Sequence, residues 1–208
     1  HKVSAQELKD CMRDQYEGTP LDITQGPDAG PWNSKLRYGS LGFQYDSVQY
    51  WFERPIATQQ TAWSFVAQMR GYEGANAGGI FWFGVDDAAT SLYVPMYSSI
   101  TAVPECFQEG NGDLYTYSPT SAWWTYNIVA NWAYSKYSAM VPDIQRVQST
   151  WEDKFNSQIA VIDQQVAAMD QQQAQKFLTD YSCLQAQEST AAWKELGIYL
   201  FVKYLDGQ

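Results

Sequence analysis

Histidine is nearly absent: His1 is the only one in 208 residues. A single terminal imidazole excludes a Ser-His-Asp triad and any zinc site built on several histidines. It leaves a Cys-His pair nothing else to draw on. Cysteine is scarce and badly spaced for structural work. Cys11, Cys106 and Cys183 are odd in number and far apart, which fits neither a disulfide framework nor a zinc motif. Charge is low too, at 17% of residues, and basic charge lowest of all, with 13 Lys and Arg against 23 Asp and Glu for a net of -10. Such a surface repels phosphate, so no nucleic-acid partner is expected. Long apolar runs are missing. The best candidate, Ile198 to Val202, is short and flanked by Lys194, Glu195 and Lys203, so no membrane partner is expected. No phosphate-binding loop or dinucleotide fingerprint is present, and no cofactor is expected. No signal peptide is visible, and the sequence assigns no compartment.

Aromatic residues are abundant: nine Trp, fifteen Tyr and nine Phe. Their size suits either a dense core or a surface that faces another domain. Ser4 and Glu7 have capping-box spacing, and Leu8, Met12 and Tyr16 recur at helical steps, which predicts a leading helix. Gly18-Thr19-Pro20 stops it, and an irregular stretch runs to Ser47. Strands are predicted at Tyr50 to Phe52, Thr61 to Met69, Ile80 to Val85 and Ser91 to Met96, the last three as an antiparallel meander. Asp86-Asp87-Ala88 reads as a hairpin turn, its two carboxylates pointing to opposite sides rather than holding a metal. Glu109 to Asp113 lacks the spacing and closing Glu of a calcium loop.

From Ser118 the period becomes helical, and Pro142 reads as the first residue of a long helix with Ile144, Val147, Trp151, Phe155, Ile159 and Ile162 on one face. A Gln-rich tract from Gln171 precedes a last helix around Trp193 to Tyr204. Strands followed by helices predict an α+β fold with a mostly antiparallel sheet. The stretches divide as 1-48, leading helix and loop; 49-117, strands; and 118-208, helices, all within one incomplete domain. Phe81, Trp82, Phe83, Trp123 and Trp124 invite a carbohydrate platform. Consecutive strand residues alternate sides, so core packing is the better expectation for them.

One class of catalysis needs no imidazole. An N-terminal nucleophile uses its own α-amine as base, supported by Arg, Asn, Gln, Asp or backbone donors. Arg54 to Met69 (RPIATQQTAWSFVAQM), Gly78 to Tyr97 (GGIFWFGVDDAATSLYVPMY) and Ser121 to Gln148 resemble the N-terminal-nucleophile cysteine dipeptidases of the dipeptidase A type, as does Tyr16 to Asp22. The resemblance covers nearly the whole chain, in order. It implies part of a four-layer α-β-β-α fold and hydrolysis of dipeptides by an N-terminal cysteine on an N-terminal half. None of Cys11, Cys106 and Cys183 takes that place. The chain is therefore expected to be a C-terminal portion, opening at His1 without an initiator Met and inactive alone. Its expected partners are the missing N-terminal half and a dipeptide substrate. Arg54, Gln59, Gln60 and Thr61 fall where related amidases place polar support, Arg54 as a carboxylate fork. The alternative for them is a structural ion pair and strand-entry polar groups. The alternative for the whole chain is a non-catalytic binding or scaffold domain with an aromatic-rich surface. A homo-oligomer formed through the sheet or long helix is a third expectation.

Overall fold

The computed structural model describes residues 2–36, 42–51 and 54–205. Helix α1, Ala5–Met12, begins on the expected capping box: the Glu7 N–H donates to the Ser4 hydroxyl at 3.1 Å and the Ser4 N–H donates to the Glu7 carboxylate at 2.7 Å. The irregular stretch after it holds a 3-10 turn at Pro27–Ala29 and one strand that the sequence reading missed. That strand, β1 (Gly42–Tyr45), pairs antiparallel with β2 (Val48–Trp51) as a separate two-stranded hairpin. Phe52 lies outside the described residues.

The meander is as expected. Strands β3 (Trp63–Met69), β4 (Gly79–Val85) and β5 (Val94–Tyr97) form an antiparallel sheet in that order. A one-turn helix, α2 (Gly74–Ala77), closes the first connection. Gly84 permits the close approach of β4 to the following chain, since a Cβ there would stand 2.9 Å from the Leu92 carbonyl oxygen and 3.3 Å from the Tyr93 ring. Three helices follow: α3 (Ala122–Ser135), α4 (Tyr137–Val166) and α5 (Gln171–Leu200). The break between α3 and α4 falls at Lys136, so Pro142 lies inside α4 rather than at its start. The Gln-rich tract and the last apolar stretch are one helix of 30 residues. Its N-cap, Asp170, accepts the Gln173 N–H at 2.8 Å.

Strand alternation splits the apolar residues between two cores. On one side Val66, Ile80, Trp82 and Tyr97 pack on Phe155, Ile162 and Val166 of α4 and on Ala174 and Leu178 of α5. On the other, Val94 and Met96 pack on Tyr126, Val129 and Ala130 of α3 and on Trp193 and Leu196 of α5. Helix α5 thus runs along the β5 edge and serves both cores. Covering fades away from that edge. Every residue of β5 is buried, whereas on the second face β3 presents Trp63 at 56%, Phe65 at 41% and Met69 at 83% exposure. Phe81 and Phe83, half-buried, continue this face, with Phe65 to Phe81 at 4.5 Å and Phe81 to Phe83 at 5.7 Å between ring centres. Core packing therefore holds in full for Trp82, while Phe81 and Phe83 pack against the second core but stay half-buried, because only one side of β4 has a full helical cover.

Candidate active site

The site is built on the chain between β4 and β5. Arg13, just past α1, donates to the Ala88 and Ser91 carbonyls at 3.1 and 3.2 Å. The same guanidinium pairs with buried Glu152 of α4 at 2.5 Å, and that carboxylate also accepts the Tyr93 N–H at 3.1 Å. Burial raises the Glu152 carboxyl, but the Arg13 hydrogen bonds and the charges of Arg13 and Lys9 outweigh it, so its pKa sits below the ordinary value. Gln148 holds the Ser91 carbonyl as well, at 2.6 Å. A cleft of about 900 Å³ opens beside this clamp, lined by Asp10, Cys11, Arg13, Gln15, Tyr137 and Glu152 among others.

Within the clamped segment Asp86 and Asp87 are both buried, not turned out to solvent as a simple hairpin turn would have them. Nor do they reach opposite sides. Asp86 accepts the Asn127 amide at 2.9 Å and Asp87 accepts the Tyr134 hydroxyl at 2.7 Å, and these partners stand two turns apart on one face of α3. Asp86 makes this possible by leaving the strand in the left-handed region, with φ of 65°. Its N–H donates to the Ala62 carbonyl at 2.9 Å. Asp87 is ion-paired with Lys35, whose side chain is wholly buried, and caps the next 3-10 turn by accepting the Ala89 N–H at 3.1 Å. Burial lowers the Lys35 pKa while Asp87 opposes the fall. Burial and the Asp87 charge push the Tyr134 phenol far up, so it stays a donor.

Asp86 differs from its neighbour. Its Oδ2 is buried and has no hydrogen-bond partner among the described residues. Burial pushes the carboxyl up to about 6, with the Asp87 charge adding to the rise and the Asn127 hydrogen bond, the Asp87 backbone N–H and the Lys35 charge opposing it.

The four residues expected from the sequence lie on the adjoining loop, which is stitched to this cluster at both ends. The Ala57 carbonyl faces the Lys35 ammonium at 3.5 Å, and Ala62 receives the Asp86 N–H. Arg54 and Gln60 come together, with Nη2 to Oε1 at 3.3 Å. Thr58 bonds both Gln60 and Gln59, the latter at 3.2 Å. Thr61 joins through its backbone alone, its N–H donating to the Thr58 carbonyl at 3.0 Å. Arg54 is exposed and has no carboxylate partner among the described residues. Sequence reasoning missed Lys35, Asn127 and Tyr134 and discounted Asp86 and Asp87. A usable signal existed for four of these: paired carboxylates at a strand end, and Asn127 seven residues before Tyr134 on a predicted helix. Lys35 sits in a loop with no pattern around it.

The model of peptidase family C69 matches residues 1–150. The chain belongs to peptidase family C69. The comparison with curated proteins yields no match. Membership makes the C69 chain part of a peptide hydrolase family with the N-terminal-nucleophile fold, and the observed α+β architecture of antiparallel sheets and helices agrees with that class. The matched span contains the Arg54–Thr61 loop, the Asp86–Asp87 segment and all of α3, so every element of the cluster belongs to the C69 match. Among the described residues of the C69 chain, no cluster of three or more His, Cys, Asp and Glu could hold a metal ion. Likewise no helix there is long and apolar enough to cross a membrane. Cys11 is exposed on α1, Cys106 is buried with its thiol pushed up by burial, and Cys183 is half-buried and raised for the same reason. Neither Cys106 nor Cys183 carries the depressed thiol pKa that would mark an activated nucleophile.

Proposed function

We propose that this chain is the C-terminal part of a dipeptidase, and that it completes an active site whose nucleophile is the terminal cysteine of an upstream half. The observation that carries the reading is the bare aromatic strip on β3 and β4. Trp63, Phe65 and Met69 stay exposed beside half-buried Phe81 and Phe83, while every other face of the sheet is covered. A contiguous apolar patch of this kind on a sheet face is what a second sheet layer would cover. The loop from Arg54 to Thr61 leads directly into this strip, which would bring its polar groups to the edge of the joint. There Arg54 would bind a substrate carboxylate as a fork, and Gln59, Gln60 and Thr61 would orient the peptide or donate to an oxyanion.

The test is to produce the chain joined to its upstream half and measure dipeptide hydrolysis. Cleavage is expected only when both halves are present and the terminal cysteine is free, with loss on alkylation of that cysteine. Thiol-dependent dipeptide turnover by the isolated 208 residues would overturn the reading.

A further inference from the structure

Asp86 is the one residue of the cluster whose environment is incomplete. Non-glycine residues in the left-handed region carry strain, which concentrates where function demands it. Its Oδ1 accepts from Asn127 and its N–H is satisfied by Ala62; the neighbouring Asp87 N–H also favours the charged carboxylate, yet Oδ2, sealed from water, is left without a hydrogen-bond partner among the described residues. An unpartnered buried carboxylate oxygen is costly in a folded protein. The charge is incomplete as well, since Asp86 and Asp87 face a single Lys35 ammonium, which Asp87 already holds. What would complete the site is one more cation with N–H donors.

We propose that Asp86 receives a primary ammonium group through its free Oδ2, and that the ammonium is the α-amine of a peptide substrate. The assignment rests on the peptidase reading above and names the end of the peptide that the chain selects. Asn127 is the gate. It is half-exposed, so Asp86 lies a single side chain below the surface, and its amide is steadied from outside by exposed Asn131 at 3.1 Å. A lone free carboxylate oxygen suits an ammonium with three donors better than a metal ion, which draws on several ligand oxygens. The Ala62 carbonyl, which takes one N–H from Asp86, keeps a second lone pair for another donor. Selection for a free amino terminus follows, because an N-acylated peptide brings no charge to pair with a buried carboxylate.

The experiment is calorimetric titration of the full-length protein with leucinamide and with N-acetyl-leucinamide. The wild type is expected to prefer leucinamide by about tenfold or more, and Asp86→Asn to lose that preference, since a hydrogen bond to a charged group has about that effect. Equal binding of the two probes by the wild type, or a preference kept by Asp86→Asn, overturns the assignment. If Asp86→Asn does not fold by circular dichroism, the wild type still decides. Its affinity for leucinamide must fall as the pH is lowered through about 6, and a flat profile overturns the assignment. A protein that binds leucinamide selectively but cleaves no dipeptide sinks the peptidase reading and supports the Asp86 site. One that cleaves dipeptides and their N-acetyl derivatives equally well does the reverse.

Discussion

The Lys9 ammonium lies 3.5 Å above the centre of the Trp82 ring, fully buried and without a hydrogen-bond partner among the described residues. The Trp82 indole is fixed from the other side, donating to Gln68 at 2.9 Å. Cation–π attraction compensates part of the cost of taking the ammonium from water. The remainder appears as a Lys9 pKa lowered to about 8, with burial the main cause and the Glu152 charge opposing it. The folded state thus gives up this proton more readily than the unfolded chain, whose lysine keeps the ordinary value of 10.5. Stability is therefore lowest below about 8 and rises as the pH climbs toward 10.5. Lys9→Met keeps the stem over the ring and removes the charge. We expect it to raise stability by about 1–3 kcal/mol at pH 7 and to flatten that alkaline rise. Denaturant unfolding at neutral and alkaline pH measures both.

Lys9 also marks the limit of what the sequence discloses. Helix α1 was legible from Ser4 and Glu7, because a capping box is a local pattern. That Lys9 faces inward was not, since a lysine on a short amphipathic helix ordinarily faces water. The meander was legible because Gly78-Gly79, the apolar run to Val85 and the turn residues punctuate the chain locally. Strand β1 was not, because Gly42 to Tyr45 pairs only with its own hairpin and its exposed residues leave no buried alternation to read. The site divides the same way. The Arg54–Thr61 loop was found through the resemblance and its polar residues. The Lys35–Asp87 pair depends on a contact between residues 52 positions apart in the chain, a distance no local pattern spans.

That pair makes a second expectation. Lys35 and Asp87 are both wholly buried, and Asp87 also takes the Tyr134 hydroxyl and the Ala89 N–H. Asp87→Asn keeps one oxygen, which can still accept the Ala89 N–H, turns the other position into a donor that the Tyr134 hydroxyl can accept, and strands the Lys35 ammonium. We expect a loss of about 3–5 kcal/mol, the usual cost of leaving one partner of a buried pair alone. Lys35→Met added to Asp87→Asn is expected to recover most of the loss, because it removes the stranded charge rather than restoring the pair. Thermal unfolding of the two single variants and the double variant gives the coupling directly. Additive losses would mean that the two side chains do not act together.

The aromatic strip makes a third. Trp63 stacks on Phe65 at 5.8 Å and Phe65 on Phe81 at 4.5 Å, yet Phe65 remains 41% exposed. Phe65→Ser is expected to cost the isolated chain only about 1–2 kcal/mol, since much of the ring already faces water. The same change is expected to reduce dye binding and self-association of the isolated chain, and to weaken its assembly with the upstream half. Size-exclusion chromatography with a hydrophobic fluorescent dye reads the first effect, and co-purification of the two halves the second. Unchanged assembly would place the joint elsewhere.

Arg54 separates structural from functional roles most sharply. It is exposed, and its recorded side-chain partner is a neutral one, Gln60, at 3.3 Å. A surface residue so loosely held contributes within about 0.5 kcal/mol to stability, so Arg54→Ala should leave the unfolding midpoint almost unmoved. As the carboxylate fork of a dipeptidase it would contribute far more to turnover. We expect Arg54→Ala in the full-length enzyme to lower kcat/KM for dipeptides by about tenfold or more, the scale of a hydrogen bond to a charged group. The loss should shrink for C-terminally amidated dipeptides, which carry no carboxylate for the fork to bind. Arg54→Lys should restore only part of it, because a single ammonium cannot reproduce two parallel N–H donors. Equal losses for the acid and the amide would assign Arg54 to shaping the loop through Gln60 rather than to binding substrate.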